Sequence, residues 1–210
     1  MLTREIDKTL YNSYSDDIPA FLKNIYAARS VTESQLVLSL PGLLKPNFDQ
    51  LGVALKLLER AIIENRRILI VGDFDADGAT ASAVAIKALR MMGGKFVDFL
   101  VPNRFEHGYG LSPEIVNEAK KEKDPDLIIT VDNGISSIEG TALARSLGID
   151  VIITDHHNPR PDGTLPHASA IVHPGLKDST YPSPALCGAG VAFKLAWQFG
   201  KAWSESDTDR

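Results

Sequence analysis

From Arg67 onward, short apolar runs rich in β-branched residues alternate with stretches of helical periodicity. Five runs read as strands: Ile68 to Val71, Phe96 to Val101, Leu127 to Val131, Val151 to Thr154 and Ala170 to Val172. All are short and apolar enough to be buried on both faces. Between them, Ala79 to Met92, Pro113 to Lys123 and Ser136 to Leu147 read as helices. Ser112 is a good N-cap with proline next in the first turn, and Gly93, Gly94 and Gly148 stand where helices stop. Strands that alternate with helices predict an α/β fold, a mostly parallel five-stranded sheet flanked by helices.

Residues 1–65 read as a helical leader that packs on this core. Its helices are expected over Thr32 to Leu40 and Asp49 to Glu64, separated by the breaker stretch Pro41 to Pro46. In the second, Leu51, Ala54, Leu55, Leu58 and Ile62 recur every three or four residues and form an apolar stripe that belongs on the sheet. Residues 66–203 then make the α/β domain, and Ser204 to Arg210 a polar tail.

A chain of 210 residues with 44% hydrophobic content can bury a substantial core. No apolar run approaches the ~20 residues that a membrane span needs, so the expectation is a cytoplasmic protein without a membrane partner. Cys187 is the single cysteine and cannot form an internal disulfide. With no base beside it, it is expected to be buried and inert. The formal net charge of −5 argues against a nucleic-acid partner, because phosphate binding is driven by Lys and Arg. That objection weakens if aspartates gather divalent cations, since the metals then set the local field.

Ligand sites in an open parallel sheet lie beyond the carboxyl ends of the strands. The residues found there are Asp73, Asp75 and Asp77 after the first strand, Asn103 and Arg104 after the second, and Asp132-Asn133-Gly134 after the third. Asp155-His156-His157 follow the fourth strand and His173 the fifth. Three carboxylates between Asp73 and Asp77 repel one another unless a cation offsets them. An EF-hand calcium loop matches the first six positions, but its bidentate Glu is replaced by Val84, and a strand precedes Asp73 where a helix is required. No Gly-Lys-Ser/Thr signature is present for a P-loop. A phosphatase with an aspartyl nucleophile, placing Asp75 and Asp77 on a strand-to-loop turn, is a rival reading, and it leaves the histidine pair unexplained. Carboxylates with a single imidazole suit Mn²⁺ or Mg²⁺, and two such ions suit phosphoryl displacement.

The segments Gly72 to Gly78, Val131-Asp132-Asn133-Gly134 and Asp155-His156-His157 together resemble the DHH phosphoesterase superfamily. Pro102 to Leu111 and Cys187 to Phe193 narrow the resemblance to its single-strand-specific DNA exonucleases, with a match from about Tyr26 to the helix ending near Trp203. The resemblance implies metal ligation by Asp75, Asp77, Asp132 and His156, with Asp73 as a further ligand or supporting carboxylate. Asp155 would orient the imidazoles and His157 would contact the scissile phosphate. Arg104 would bind phosphate and Tyr109 would stack a base. The amides of Gly188 and Gly190 would bind phosphate at a helix N-terminus. It further implies hydrolysis of single-stranded DNA from the 5′ end with Mn²⁺ or Mg²⁺, two ions in all, with single-strand-binding protein and a helicase as partners.

Members of this group continue well past this length, with a final metal-binding Asp, a linker helix, a DHHA1 domain and an OB-fold. The chain is therefore expected to be an N-terminal portion, slow or inactive by itself for lack of the last metal ligand and the DNA-clamping domains. Two further readings remain beside the exonuclease. The chain could bind metal and nucleic acid or a partner without cleaving, or could act on short oligonucleotides, cyclic dinucleotides or pyrophosphate.

Overall fold

The computed structural model describes residues 4–36, 42–102 and 110–207. The chain divides into two compact units, Met1–Leu44 and Lys45–Arg210. The first contains α1 (Lys8–Ser13) and α2 (Ala20–Ala27), then a short 3₁₀ turn at Glu33–Leu36. Asp7 caps α1 by accepting from the amides of Thr9 and Leu10, and Pro19 precedes α2. Neither helix was expected from the sequence. The helix expected over Thr32 to Leu40 is represented among the described residues by the 3₁₀ turn, and its remainder lies outside them.

The second unit runs α3 (Leu51–Ile63), β1 (Ile68–Gly72), α4 (Ala76–Met91), β2 (Val97–Leu100), α5 (Pro113–Glu122) and β3 (Leu127–Val131). It continues with α6 (Ile138–Ser146), β4 (Asp150–Thr154), β5 (Ala170–Val172) and α7 (Gly188–Asp207). The five strands are all parallel, in the order β2-β1-β3-β4-β5. Strand side chains alternate between two apolar layers. Ile68, Ile70, Ile129, Val131 and Ile152 join α3, α4 and α7 on one face. Leu69, Val71, Ile128, Val151 and Ile153 join α5 and α6 on the other. Both faces are covered, which is why these runs are apolar throughout.

Three boundaries differ from the sequence reading. The helix over Asp49 to Glu64 shares a compact unit with the sheet, and that unit begins at Lys45. β2 lies at the sheet edge, so it is not buried on both faces: Val97 is buried, whereas Phe96 and Phe99 are more than half exposed. The last helix runs through Asp207, into the segment expected to be a tail.

At the amino ends of the strands, Asp150 gathers three guanidinium groups. Its Oδ2 accepts from Arg60 (2.5 Å) and Arg66 (3.0 Å), and its Oδ1 from Arg145 (2.7 Å) and the Ser169 hydroxyl (3.0 Å). Burial works to raise the pKa of this carboxyl, but hydrogen bonds from Arg66 and Ser169 and the Arg66 and Arg60 charges outweigh it and hold it below the usual range. Its contribution is therefore present above about pH 4 and is lost as the pH falls through the lowered folded value. Asp150→Ala leaves three cations without their common anion and is expected to cost about 2 kcal/mol, or about 4–8 °C in melting temperature. Thermal unfolding at pH 7 checks this, and an unchanged midpoint would refute it.

Candidate metal centre

The strand register brings the polar residues into line. Gly72 pairs with Val131, Val131 with Thr154, and Thr154 with Val172. The next residue of each strand is Asp73, Asp132, Asp155 or His173, so these four form one row across the carboxyl end of the sheet. Backbone bonds continue the ladder into that row, from Asp73 N to Val131 O (3.3 Å), Asp132 N to Thr154 O (3.0 Å) and Asp155 N to Val172 O (3.3 Å).

The Asp-rich segment is partly helical. The side chain of Asp75 caps α4 by accepting from Gly78 N (3.0 Å), which starts the helix at Ala76 and places Asp77 in its first turn. The sequence reading began this helix at Ala79 and so missed the cap. Gly78 permits the tight entry, since a Cβ there would lie 2.4 Å from the carbonyl oxygen of Asp73. Asp73 is buried and accepts from Phe74 N (2.7 Å).

Asp132 is 1% exposed and holds a left-handed backbone, with φ of 63°. That conformation costs about 1 kcal/mol for a residue other than glycine. Its neighbours enforce it. Asn133 Nδ2 donates to the carbonyls of Val71 and Val131 (both 3.0 Å), tying the ends of β1 and β3, and the Thr130 hydroxyl donates to Asn133 O (2.8 Å). Asp132 Oδ1 lies 3.0 Å from His156 Nε2, and among the described residues it has no hydrogen-bond partner. Burial first, and then the charges of Asp77 and Asp75, push its pKa up to about 7.

Asp155 organises the fourth strand end. Its Oδ1 accepts from His156 N (2.7 Å) and His157 N (3.1 Å) and lies 2.8 Å from His157 Nδ1, while Oδ2 accepts from Ile135 N (2.8 Å). The carboxylate makes Nδ1 of His157 the protonated nitrogen. Burial works to lower the His157 pKa, but the Asp155 bond and the charges of Asp155, Asp132 and Asp73 outweigh it and raise the value. His173, left without a role by the sequence, supports this turn from below. Its Nδ1 accepts from Gly175 N (3.0 Å), so Nε2 donates to His157 O (2.8 Å). Burial pushes its pKa down, as suits a neutral imidazole with one nitrogen accepting.

Among the described residues two ligand sets result, Asp132 with His156 and His157, and Asp73 with Asp75 and Asp132. Within each, one ligand atom per residue lies within 4.8 Å of the others. Asp132 belongs to both. A divalent cation fits its chemistry, because a buried carboxylate oxygen without a hydrogen-bond donor, beside other carboxylates, needs positive charge. Asp77 is the expected ligand that stands apart from both sets. Its Oδ2 lies 3.6 Å from His156 Nε2, and the carboxylate faces the start of α7.

The phosphate cradle expected of Gly188 and Gly190 is filled by the protein itself. Gly188 N and Ala189 N donate to the two oxygens of Asp77 (2.7 Å each), and Gly190 N points to Cys187 Sγ at 3.4 Å. Asp77 thus occupies the place a phosphate would take. Cys187 is exposed, contrary to the expectation of burial, because it lies just ahead of α7. Arg104 and Tyr109 lie outside the described residues, as do Asn103 and His107.

The sequence matches the N-terminal domain of the DHH family over residues 67–209. The chain belongs to the DHH family. It is 53% identical over 184 residues to the single-stranded-DNA-specific exonuclease RecJ of Dickeya dadantii, covering 86% of this chain and 31% of that protein. The structure resembles the crystal structure of exonuclease RecJ bound to manganese, with a TM-score of 0.64 at 38% identity, covering 76% of this chain and 40% of that one. It also resembles RecJ from Thermus thermophilus in complex with Mn²⁺, with a TM-score of 0.69 at 30% identity over 93% of this chain and 28% of that one. The chain spans about a third of the length of that Dickeya dadantii protein and of the RecJ of Escherichia coli. Among the described residues, no helix is long and apolar enough to cross a membrane.

Proposed function

We propose that this DHH domain is the metal-binding catalytic part of an exonuclease that hydrolyses single-stranded DNA from the 5′ end. The observation that carries the reading is the row of acidic and imidazole groups around Asp132, whose buried Oδ1 has no hydrogen-bond donor among the described residues. Asp132 would be shared between two Mn²⁺ or Mg²⁺ ions, with Asp75, Asp77 and His156 as further ligands and Asp73 as a ligand or support. Bound divalent ions would supply Lewis-acid neutralisation of the phosphate and a stronger nucleophile from water.

The protein groups prepare the rest. Asp155 fixes the ring of His157 through Nδ1, and a protonated His157 would donate to a phosphate oxygen as charge develops there. Arg104 and Tyr109 are proposed to bind backbone phosphate and stack a base. Single-strand-binding protein and a helicase are the proposed partners, in the cytoplasm.

The test is to incubate 5′- or 3′-labelled single-stranded DNA with Mn²⁺ and either the wild type or an Asp75→Ala, Asp77→Ala double variant. Wild-type turnover should exceed that of the variant by at least about 10³-fold, the scale of several kcal/mol of charge stabilisation. Equal product release from both would sink the metal assignment. Mn²⁺ binding without cleavage would reduce the function of this chain to metal binding. Release from pyrophosphate or dinucleotides but not DNA would shift the substrate class.

A further inference from the structure

The Asp77 carboxylate is claimed twice, by the proposed metal site and by the N-terminus of α7. Both of its oxygens are held by consecutive amides, Gly188 N on Oδ2 and Ala189 N on Oδ1. Such charge-assisted bonds are short and fix the plane of the carboxylate, and each oxygen keeps a second lone pair for a cation. Gly188 also touches the other side of the site. A Cβ on it would lie 2.2 Å from Asp132 Oδ1 and 2.6 Å from Asp132 Cβ. The second of these atoms is held by backbone, so it cannot swing aside. Gly188 is not among the residues with positive φ, so the absence of a side chain there serves space and not backbone freedom.

We propose that the Gly188-Ala189 turn is a positioning element of the metal site. Its amides orient Asp77, and its missing side chain lets α7 close against Asp132, so that metal loading and the seating of α7 are coupled. This rests on the metal-site reading above. Hydrogen-bonding groups behind a ligand tune metal affinity by about 10–100-fold when removed. Coupling is reciprocal, so a cation that draws on Asp77 and Asp132 in their seated positions also favours the docked helix.

Two measurements decide it. In metal-free protein, hydrogen exchange should show the Gly188 and Ala189 amides protected, and Asp77→Asn should release them selectively while the amides of Val191 to Phe199 keep their protection. Unchanged protection at Gly188 and Ala189 in that variant overturns the proposal. In the second, Mn²⁺ titration calorimetry compares wild type with Gly188→Ala and Gly190→Ala. A Cβ at Gly190 meets chiefly the side chain of Leu186, so that variant is the packing control. Gly188→Ala should weaken Mn²⁺ binding by at least about 10-fold and Gly190→Ala by less than about 3-fold. Wild-type binding with equal affinity in Gly188→Ala overturns the positioning role and leaves the metal-site reading intact. A wild type that binds no Mn²⁺ overturns the metal-site reading and the coupling with it.

Discussion

Asp132→Asn is expected to have opposite effects on function and on the stability of the metal-free protein. Activity and Mn²⁺ binding should fall together, with turnover down by at least about 10³-fold, because the shared ligand is lost. The metal-free variant should nevertheless be more stable than wild type at pH 8. Burial and the Asp77 and Asp75 charges raise the Asp132 pKa to about 7. A carboxyl whose folded pKa lies above its unfolded value binds its proton more tightly when folded. Stability therefore falls as the pH rises from about 4 to about 7, and above that range the full penalty of a buried charge applies. Asparagine removes the charge while keeping the shape. The gain should be on the order of 2 kcal/mol at pH 8, less than the full shift implies, because the amide is itself desolvated. Melting temperatures measured from pH 5 to pH 8 without metal should converge at the acidic end and separate at the basic end. Saturating Mn²⁺ should raise the wild-type midpoint and leave the variant unmoved. A variant less stable than wild type at pH 8 would show that Asp132 is a structural anchor and not a strained ligand.

The second large effect is expected at Asp155. Its two oxygens receive the amides of His156, His157 and Ile135 and face the ring of His157. Asp155→Ala leaves the buried amide of Ile135 and the part-buried amides of His156 and His157 without their acceptor and removes the anion that fixes the His157 tautomer. Each lost partner costs about 1–3 kcal/mol, so a total of about 3 kcal/mol in stability is expected once water reaches some of them. Activity should drop by at least about 10²-fold under conditions where the variant is folded, since both histidines lose their orientation. Circular dichroism melts combined with turnover at 15 °C separate the two effects. Full activity in a destabilised variant would confine Asp155 to a structural role.

Much of this arrangement was legible in the sequence because it follows from local rules. β1, β3, β4 and β5 announce themselves as apolar runs, and their ends carry Asp73, Asp132, Asp155 and His173. A parallel ladder then aligns those ends without further information. What escaped depends on contacts between distant parts of the chain. The bond from Gly188 to Asp77 spans 111 residues, so the glycines after Cys187 looked like a phosphate cradle. Asp75 as the cap of α4 was hidden by its reading as one of a group of ligands, though the Asp75-to-Gly78 spacing was a usable signal. Phe96 and Phe99 read as core because hydrophobicity alone cannot say that β2 lies at an edge. Asp150 stood at the start of an apolar run, and nothing local indicated that Arg60, Arg66 and Arg145 converge on it.

Anomalous diffraction from crystals of this chain soaked in Mn²⁺ tests the shared metal centre at Asp132. An anomalous peak is expected in contact with Asp132, shared with His156 on one side or Asp75 on the other, with Asp77 still bonded to the amides of Gly188 and Ala189. Crystals that bind Mn²⁺ elsewhere, with Asp132 Oδ1 left bare, would contradict it.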